Sequence, residues 1–261
     1  MINRMDTFVV VIPARMASSR FPGKPLVSIA GLPLVEHVRR RALLAKGASD
    51  VVVATCDESI RDAIVGFGGR AVMTADTHER CTGRLSEAMR HLTGEIVVMV
   101  QGDEPLLLPE AVERIAAPLL ADPSITCTNL LSPLESRADR DNPDIVKAAC
   151  SQAGEVMFLS RSPIPHYRMD VDCPVYRQTG IMGFRASLLR TYESLPATPF
   201  ERAESIDMLR LLEHGYRITG VVVDCPTYGV DRPDDVEVIE QLLRDDETQR
   251  GLHARIHQPI L

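Results

Sequence analysis

The sequence predicts an α/β protein built on a doubly wound, mostly parallel sheet. Three observations carry that prediction. Short apolar runs at 8–12, 50–55, 71–73 and 95–100 are rich in valine and isoleucine. They have the length and composition of strands buried on both faces. Stretches with helical apolar spacing separate them, and Pro13, Gly47, Gly68 and Gly69 punctuate the boundaries. Strand and helix alternating at this spacing give parallel crossover units.

The first strand, 8–12, is followed by a loop carrying Arg15, Arg20 and Lys24 among Ser18, Ser19, Pro22 and Gly23. Three cations at the carboxyl end of a central strand suit a polyphosphate, because open α/β sheets bind ligands at that end. A solvated basic loop is the plainer reading of the same charges. Neither a Walker A loop nor a G-x-G-x-x-G fingerprint is present, which argues against a dinucleotide-binding dehydrogenase.

A helix is expected over 34–46 with Leu34, Val35, Val38 and Ala42 on its apolar stripe. Asp57 is placed to cap a helix over 59–67. A helix over 82–92 opens beside Arg80 and Arg84, and a helix N-terminus with nearby arginines favours anions. The strand at 95–100 ends in Gln101-Gly102-Asp103-Glu104-Pro105. An acid just past a central strand can hold a nucleotide's magnesium or simply close a tight turn. A helix over 109–120, a strand over 124–130, a helix over 199–214, a strand over 218–223 and a last helix over 233–243 complete the elements. Asp231 or Arg232 lies at the N-cap of that last helix. The tail after Arg244 shows no clear pattern.

Composition narrows the function. The length of 261 residues suits one domain, 1–261, and the 45% hydrophobic content supplies a core. A net charge of −7 argues against nucleic acid as a partner, so local basic clusters read as small-ligand sites. Six cysteines without a C-x-x-C pair argue against zinc and against a disulfide framework. The start, MINRMDT, lacks a signal-peptide core, and no apolar run reaches the ~20 residues of a membrane span. A cytoplasmic protein with no membrane partner is expected. Only Lys24, Lys46 and Lys147 are lysines.

Family resemblance sharpens these readings. The loop Ala14-Arg15-x-x-Ser18-Ser19-Arg20-x-Pro22-Gly23-Lys24-Pro25-Leu26 resembles the signature of the sugar-acid cytidylyltransferases, and most closely of the CMP-Kdo synthetases, where Kdo is 3-deoxy-manno-octulosonate. Val100-Gln101-Gly102-Asp103-Glu104-Pro105, Asn142-Pro143-x-x-Val146-Lys147, the stretch 157–165 and Gly229-Val230-Asp231-x-Pro233 match further segments. The resemblance covers almost the whole chain. It implies a nucleotide-diphospho-sugar transferase-like fold, with a small inserted lobe at about 155–180 through which such enzymes dimerise. It implies CTP and Mg²⁺, with Ala14, Arg15, Ser18, Arg20, Lys24 and Gln101 on the nucleotide. Asp103 and Asp231 become the metal carboxylates, with Glu104 the second choice beside Asp103. Arg15, Lys24 and Asp103 form the implied catalytic set. Arg80, Arg84, Arg161, Gln178 and Asp207 are the implied contacts to a small anionic acceptor. Lys147 either faces the phosphates or covers an edge strand. His78 either belongs to the site or bonds locally in a turn. Cys81 reads as a small filler rather than a nucleophile.

The departures from the family fall on the acceptor side. Arg80, Cys81 and Gly83 replace the usual serine, glycine and acid. Gln178 and Met182 stand where a histidine and a tyrosine are usual, and Asp207-Met208 replaces Glu-Gln. A site that loses hydrogen-bonding groups should bind a polyol less well. Two acceptors therefore compete: Kdo or a related ulosonic acid, and a small phosphonate such as phosphonoformate. A non-catalytic nucleotide-binding protein is a reading of another class, against which the intact Arg15, Lys24, Asp103 and Asp231 speak.

Overall fold

Strand β1 (Phe8–Ala14) is buried along its whole length near the middle of a nine-stranded sheet. Phe8, Val10 and Ile12 enter one core cluster, and Val9 and Val11 enter the other. A strand alternates its side chains between faces, so an unbroken apolar run is what cover on both faces demands. The computed structural model describes residues 7–17, 21–134, 136–169, 171, 173–224 and 228–258. The expected nucleotide contacts Ser18 and Arg20 lie outside the described residues.

The other strands are β2 (Ala48–Thr55), β3 (Arg70–Met73), β4 (Ile96–Val100), β5 (Cys127–Pro133), β6 (Lys147–Cys150), β7 (Val156–Ser160), β8 (Tyr176–Arg185) and β9 (Thr219–Val222). Across the sheet the order is β9-β5-β8-β4-β1-β2-β3, with β6 beside the start of β8 and β7 beyond β6. β1 pairs in parallel with β2 and β4, β2 with β3, and β5 with β9. β8 runs against β4, β5 and β6. The carboxyl ends of β1, β2 and β4 therefore open on one edge, and the reversed β8 brings its first half back to that edge.

Helices α1 (Leu34–Ala42), α2 (Glu58–Gly66) and α4 (Pro109–Ala121) cover one face through Val35, Val38, Ile60, Ile64 and Ile115. Helices α3 (Cys81–Met89), α6 (Ala186–Ser194) and α8 (Met208–Glu213) cover the other through Leu85, Leu188 and Leu209. A third, smaller cluster joins Leu106 and Val230 to Ile239 and Leu243 of α9 (Asp235–Asp245). It underpins the two loops that carry Asp103 and Asp231.

Several expectations change. The single helix expected over 199–214 is two, α7 (Pro199–Glu204) and α8, because Ser205 takes a left-handed conformation with φ 58°. The patternless tail contains α10 (Glu247–Ile256), whose N-cap Asp246 accepts a hydrogen bond from Gln249 N. The segment expected as an inserted lobe, 155–180, gives β7 and the start of β8 to the main sheet, with no helix or strand among the described residues between them. α5 (Arg137–Asp141) is a further short helix.

Candidate active site

The edge where β1 and β4 end holds a cavity of about 290 Å³. Of the residues singled out in the sequence, Ala14, Arg15, Lys24, Arg80, Arg84, Gln101, Asp103 and Asp231 line it. They come from chain positions more than 200 apart, and local structure explains how each arrives. Gly23 is in the left-handed region at φ 76° and opens the 3₁₀ turn Lys24–Leu26, with Pro25 at its second position. The Lys24 backbone is fixed by that turn while its side chain stays long and jointed. Asp103 follows β4 directly. Val230 N donates to Asp103 O at 2.9 Å, which draws the Gly229–Asp231 loop over the end of β4. Asp235 Oδ2 accepts from both Asp231 N and Arg232 N at 2.7 Å. Asp235 therefore ties that loop to the start of α9, and Asp231 is held above Asp103.

The Lys24 ammonium sits at the centre of this corner. It donates to Asp103 Oδ2 at 2.7 Å and to Val230 O at 2.8 Å, and stands 3.6 Å from Asp231 Oδ1. Two carboxylates that share one ammonium are also within reach of one small metal cation. Hard oxygen donors of this kind are what magnesium takes, in ones and twos, alongside substrate phosphates. Among the described residues no group of three or more acids, histidines or cysteines forms a protein-only metal site. A metal here would take its remaining ligands from substrate and water. Glu104, the second metal candidate, turns inward. It is buried, accepts from Gly180 N at 3.3 Å, and does not line the cavity. Burial first, and then the neighbouring Asp103 charge, push its carboxyl up to about 7.

Asp57 does something other than the capping role expected of it. No side-chain cap bond forms at the start of α2; instead Asp57 Oδ2 accepts from Met16 N at 2.8 Å. Gly23 N in turn donates to Met16 O at 3.3 Å. Met16 is thus gripped through both its amide and its carbonyl, and the cationic loop is anchored to the end of β2. The signal that could have revealed this was position: Asp57 sits just past a central strand, at the ligand-binding edge.

Of the expected acceptor contacts, Arg84 is buried at the wall of the cavity. Its Nη1 donates to Thr74 Oγ1 and Ala75 O, and its buried Nη2 has no hydrogen-bond partner among the described residues. Arg80 lines the same cavity and donates to Ser205 Oγ at 2.6 Å. His78 also lines it and bonds Glu87. Cys81 donates to Gln101 Oε1 at 3.5 Å, and burial, then Asp207 and Asp103, push its thiol up to about 11. A thiol so raised is a filler, not a nucleophile.

The remaining candidates are not brought to this lining. Asp207 accepts from Thr82 Oγ1 at 2.5 Å and lies 3.4 Å from Thr82 N, so it holds the N-terminus of α3. Gln178 donates to Asn129 Oδ1 at 2.8 Å beside an irregularity in the β5–β8 pairing. Arg161 donates to Glu204 O and Pro143 O. Lys147 is fully buried and donates to Asn142 O, Ile145 O and Arg161 O at 2.6–2.9 Å. All three of its protons are spent on backbone carbonyls, so it closes the 142–147 turn and does not face phosphates.

The family model described as Cytidylyltransferase matches residues 9–218. A 3-deoxy-manno-octulosonate cytidylyltransferase from Myxococcus xanthus is 44% identical over 239 residues, covering 90% of this chain and 96% of its own. The enzymes of that name from Geobacter metallireducens and Escherichia coli are 40% and 38% identical, over 90% and 92% of this chain and 97% of each of theirs. A solved structure of CMP:2-keto-3-deoxy-manno-octonic acid synthetase complexed with CTP superposes with a TM-score of 0.87 at 38% identity, covering 91% of this chain and 98% of that one. A cytidylyltransferase from Leptospira borgpetersenii, 17% identical with a TM-score of 0.61, shares the fold. Among the described residues no helix is long and apolar enough to cross a membrane. The chain belongs to the cytidylyltransferase family and is a CTP-dependent nucleotidyltransferase.

Proposed function

We propose that this chain transfers the cytidylyl group of CTP to 3-deoxy-manno-octulosonate with the help of Mg²⁺. An acceptor oxygen attacks the α-phosphorus, the new O–P bond forms as the bond to the β-phosphate bridge breaks, pyrophosphate leaves and the acceptor hydroxyl loses its proton. The observation that carries the reading is the Lys24–Asp103–Asp231 corner, which opens into the same cavity as Arg15 and Arg84. Arg15 and Lys24 would bind the triphosphate. Asp103 and Asp231 would hold the metal, which when bound neutralises phosphate charge and aids ionisation of the acceptor oxygen. Arg84, whose guanidinium lines the cavity, suits the acceptor's carboxylate by its charge. The protein's part is positioning and fixed charge rather than covalent chemistry.

Packing of four of the departures away from the cavity favours Kdo over a phosphonate. Met182 and Met208 are buried, Gln178 is spent on Asn129 and Asp207 on Thr82; none of the four lines the cavity. These four are absorbed by packing, whereas two further departures, Arg80 and Cys81, do reach the lining. The relatives named above are Kdo enzymes, and the phosphonate reading finds no support among them. The test is pyrophosphate release with CTP and Mg²⁺ against Kdo, a sialic acid and phosphonoformate. Turnover with Kdo and not with the others is expected; turnover with phosphonoformate and not with Kdo would overturn the assignment.

A further inference from the structure

We infer that Lys24 is an internal counter-cation. Its ammonium neutralises Asp103 and Asp231 until the triphosphate of CTP draws it away, so that the metal enters with the nucleotide rather than before it. The inference rests on the reading of Asp103 and Asp231 as the metal carboxylates.

The geometry is that of a cation site already satisfied. An ammonium has three protons. Lys24 Nζ has Asp103 Oδ2 at 2.7 Å, Val230 O at 2.8 Å and Asp231 Oδ1 at 3.6 Å. The Lys24 side chain is only 13% exposed, against 32% and 49% for the two acids. It therefore lies inside the corner and the carboxylates face outward from it. The bond from Val230 N to Asp103 O keeps the two loops together on its own, so the acids do not depend on Lys24 to stay adjacent. Two carboxylates this close repel unless a cation lies between them.

Mg²⁺ and the ammonium want the same oxygens. A metal arriving alone must expel a positive charge with no triphosphate present to receive it. A metal arriving with CTP comes with a triphosphate that can take the ammonium. The four-carbon stem of lysine allows that swing while the turn Lys24–Leu26 keeps its root fixed. A site competent only in a minor state binds its ligand more weakly by that fraction. The coupling is reciprocal, so metal and CTP each strengthen the other's binding through Lys24.

Binding, not turnover, tests this. Mn²⁺ is titrated into wild type, Lys24→Met and Lys24→Gln without nucleotide, and the free-ion paramagnetic resonance signal is followed. Both variants should bind Mn²⁺ about tenfold or more tightly than wild type. The wild-type protein supplies a second readout, because Lys24, Lys46 and Lys147 are its only lysines. With ¹³Cε-labelled lysine, CTP alone should shift the Lys24 resonance and Mg²⁺ alone should leave it in place. Variants that bind Mn²⁺ no more tightly than wild type, or a Lys24 signal unmoved by CTP, would overturn the inference. Asp103→Asn separates the two levels. If Asp103→Asn abolishes the Mn²⁺–CTP complex of the otherwise wild-type protein while Lys24→Met gains no affinity, the metal reading stands and the counter-cation falls. If Lys24→Met keeps its Mn²⁺ after Asp103→Asn is added, both fall.

Discussion

Asp57 should control CTP binding without touching CTP. Its carboxylate accepts the Met16 amide at 2.8 Å and ties the loop that begins with Arg15 to the end of β2. A hydrogen bond to a charged group is worth about 1.5–3 kcal/mol, against about 0.5–1.5 for a neutral one. Asp57→Ala removes the acceptor and frees the loop, so ordering it must be supplied from CTP binding energy. At 1.4 kcal/mol per factor of ten, KM for CTP should rise about 10- to 100-fold. Asp57→Asn keeps an amide oxygen in reach and should fall between Ala and wild type. At saturating CTP the turnover number should drop much less, because the loop is ordered once the triphosphate is bound. Initial rates of pyrophosphate release at varied CTP and fixed acceptor give both constants. An unchanged KM for CTP in Asp57→Ala, in a protein that melts like wild type, would refute the reasoning. So would a loss confined to turnover.

Lys147→Met should cost about 3 kcal/mol or more of stability, since it strands three buried carbonyls that the ammonium now satisfies; a chemical denaturation curve reads this directly. Gly180→Ala should displace Gln101, because a Cβ there would collide with Gln101 Cγ and Cβ and come within 2.9 Å of Glu104 Oε1; turnover and melting temperature should both fall, since Gln101 Cβ moves only with its backbone. His37 is fully buried and its imidazole is held down to about 4, by burial first, against 6.5 when unfolded. A depressed pKa means the native state refuses a proton that the unfolded chain accepts. Stability from this group is therefore full above pH 6.5 and is lost as pH falls toward 4, by up to about 3 kcal/mol. His37→Gln should flatten the melting profile in that window.

The sheet was legible because β1, β2 and β4 are covered on both faces and so carry unbroken apolar runs. The gathering of the candidate residues was legible too: Arg15, Gln101 and Asp103 directly follow central strands, Lys24 lies in the loop after β1, and family motifs singled out Asp231. What stayed hidden depended on long-range partners. The place of Asp57 just past β2 puts it at the ligand-binding edge, but nothing in the chain names Met16, 41 residues back, as its partner. Lys147 looked available until Asn142, Ile145 and Arg161 closed on it. The break at Ser205 was invisible because 199–214 keeps helical spacing throughout, yet that break lets Asp207 reach Thr82. α10 did leave a trace, Asp246 three residues before Gln249, a capping pattern ahead of Leu252 and Ile256. Arg161 and Gln178 were chosen by motif position, and their bonds to Glu204, Pro143 and Asn129 depend on long-range partners that the motifs do not name.

The most direct measurement is phosphorus NMR of the purified chain incubated with CTP, Mg²⁺ and Kdo, beside Asp103→Asn under the same conditions. The account predicts a new phosphodiester resonance and an equal amount of pyrophosphate from wild type, both lost on chelation of the metal. It predicts neither product from Asp103→Asn, although that variant melts as a folded protein. Formation of the diester by folded Asp103→Asn at the wild-type rate would contradict the central claim that the Asp103–Asp231 corner carries the metal for cytidylyl transfer.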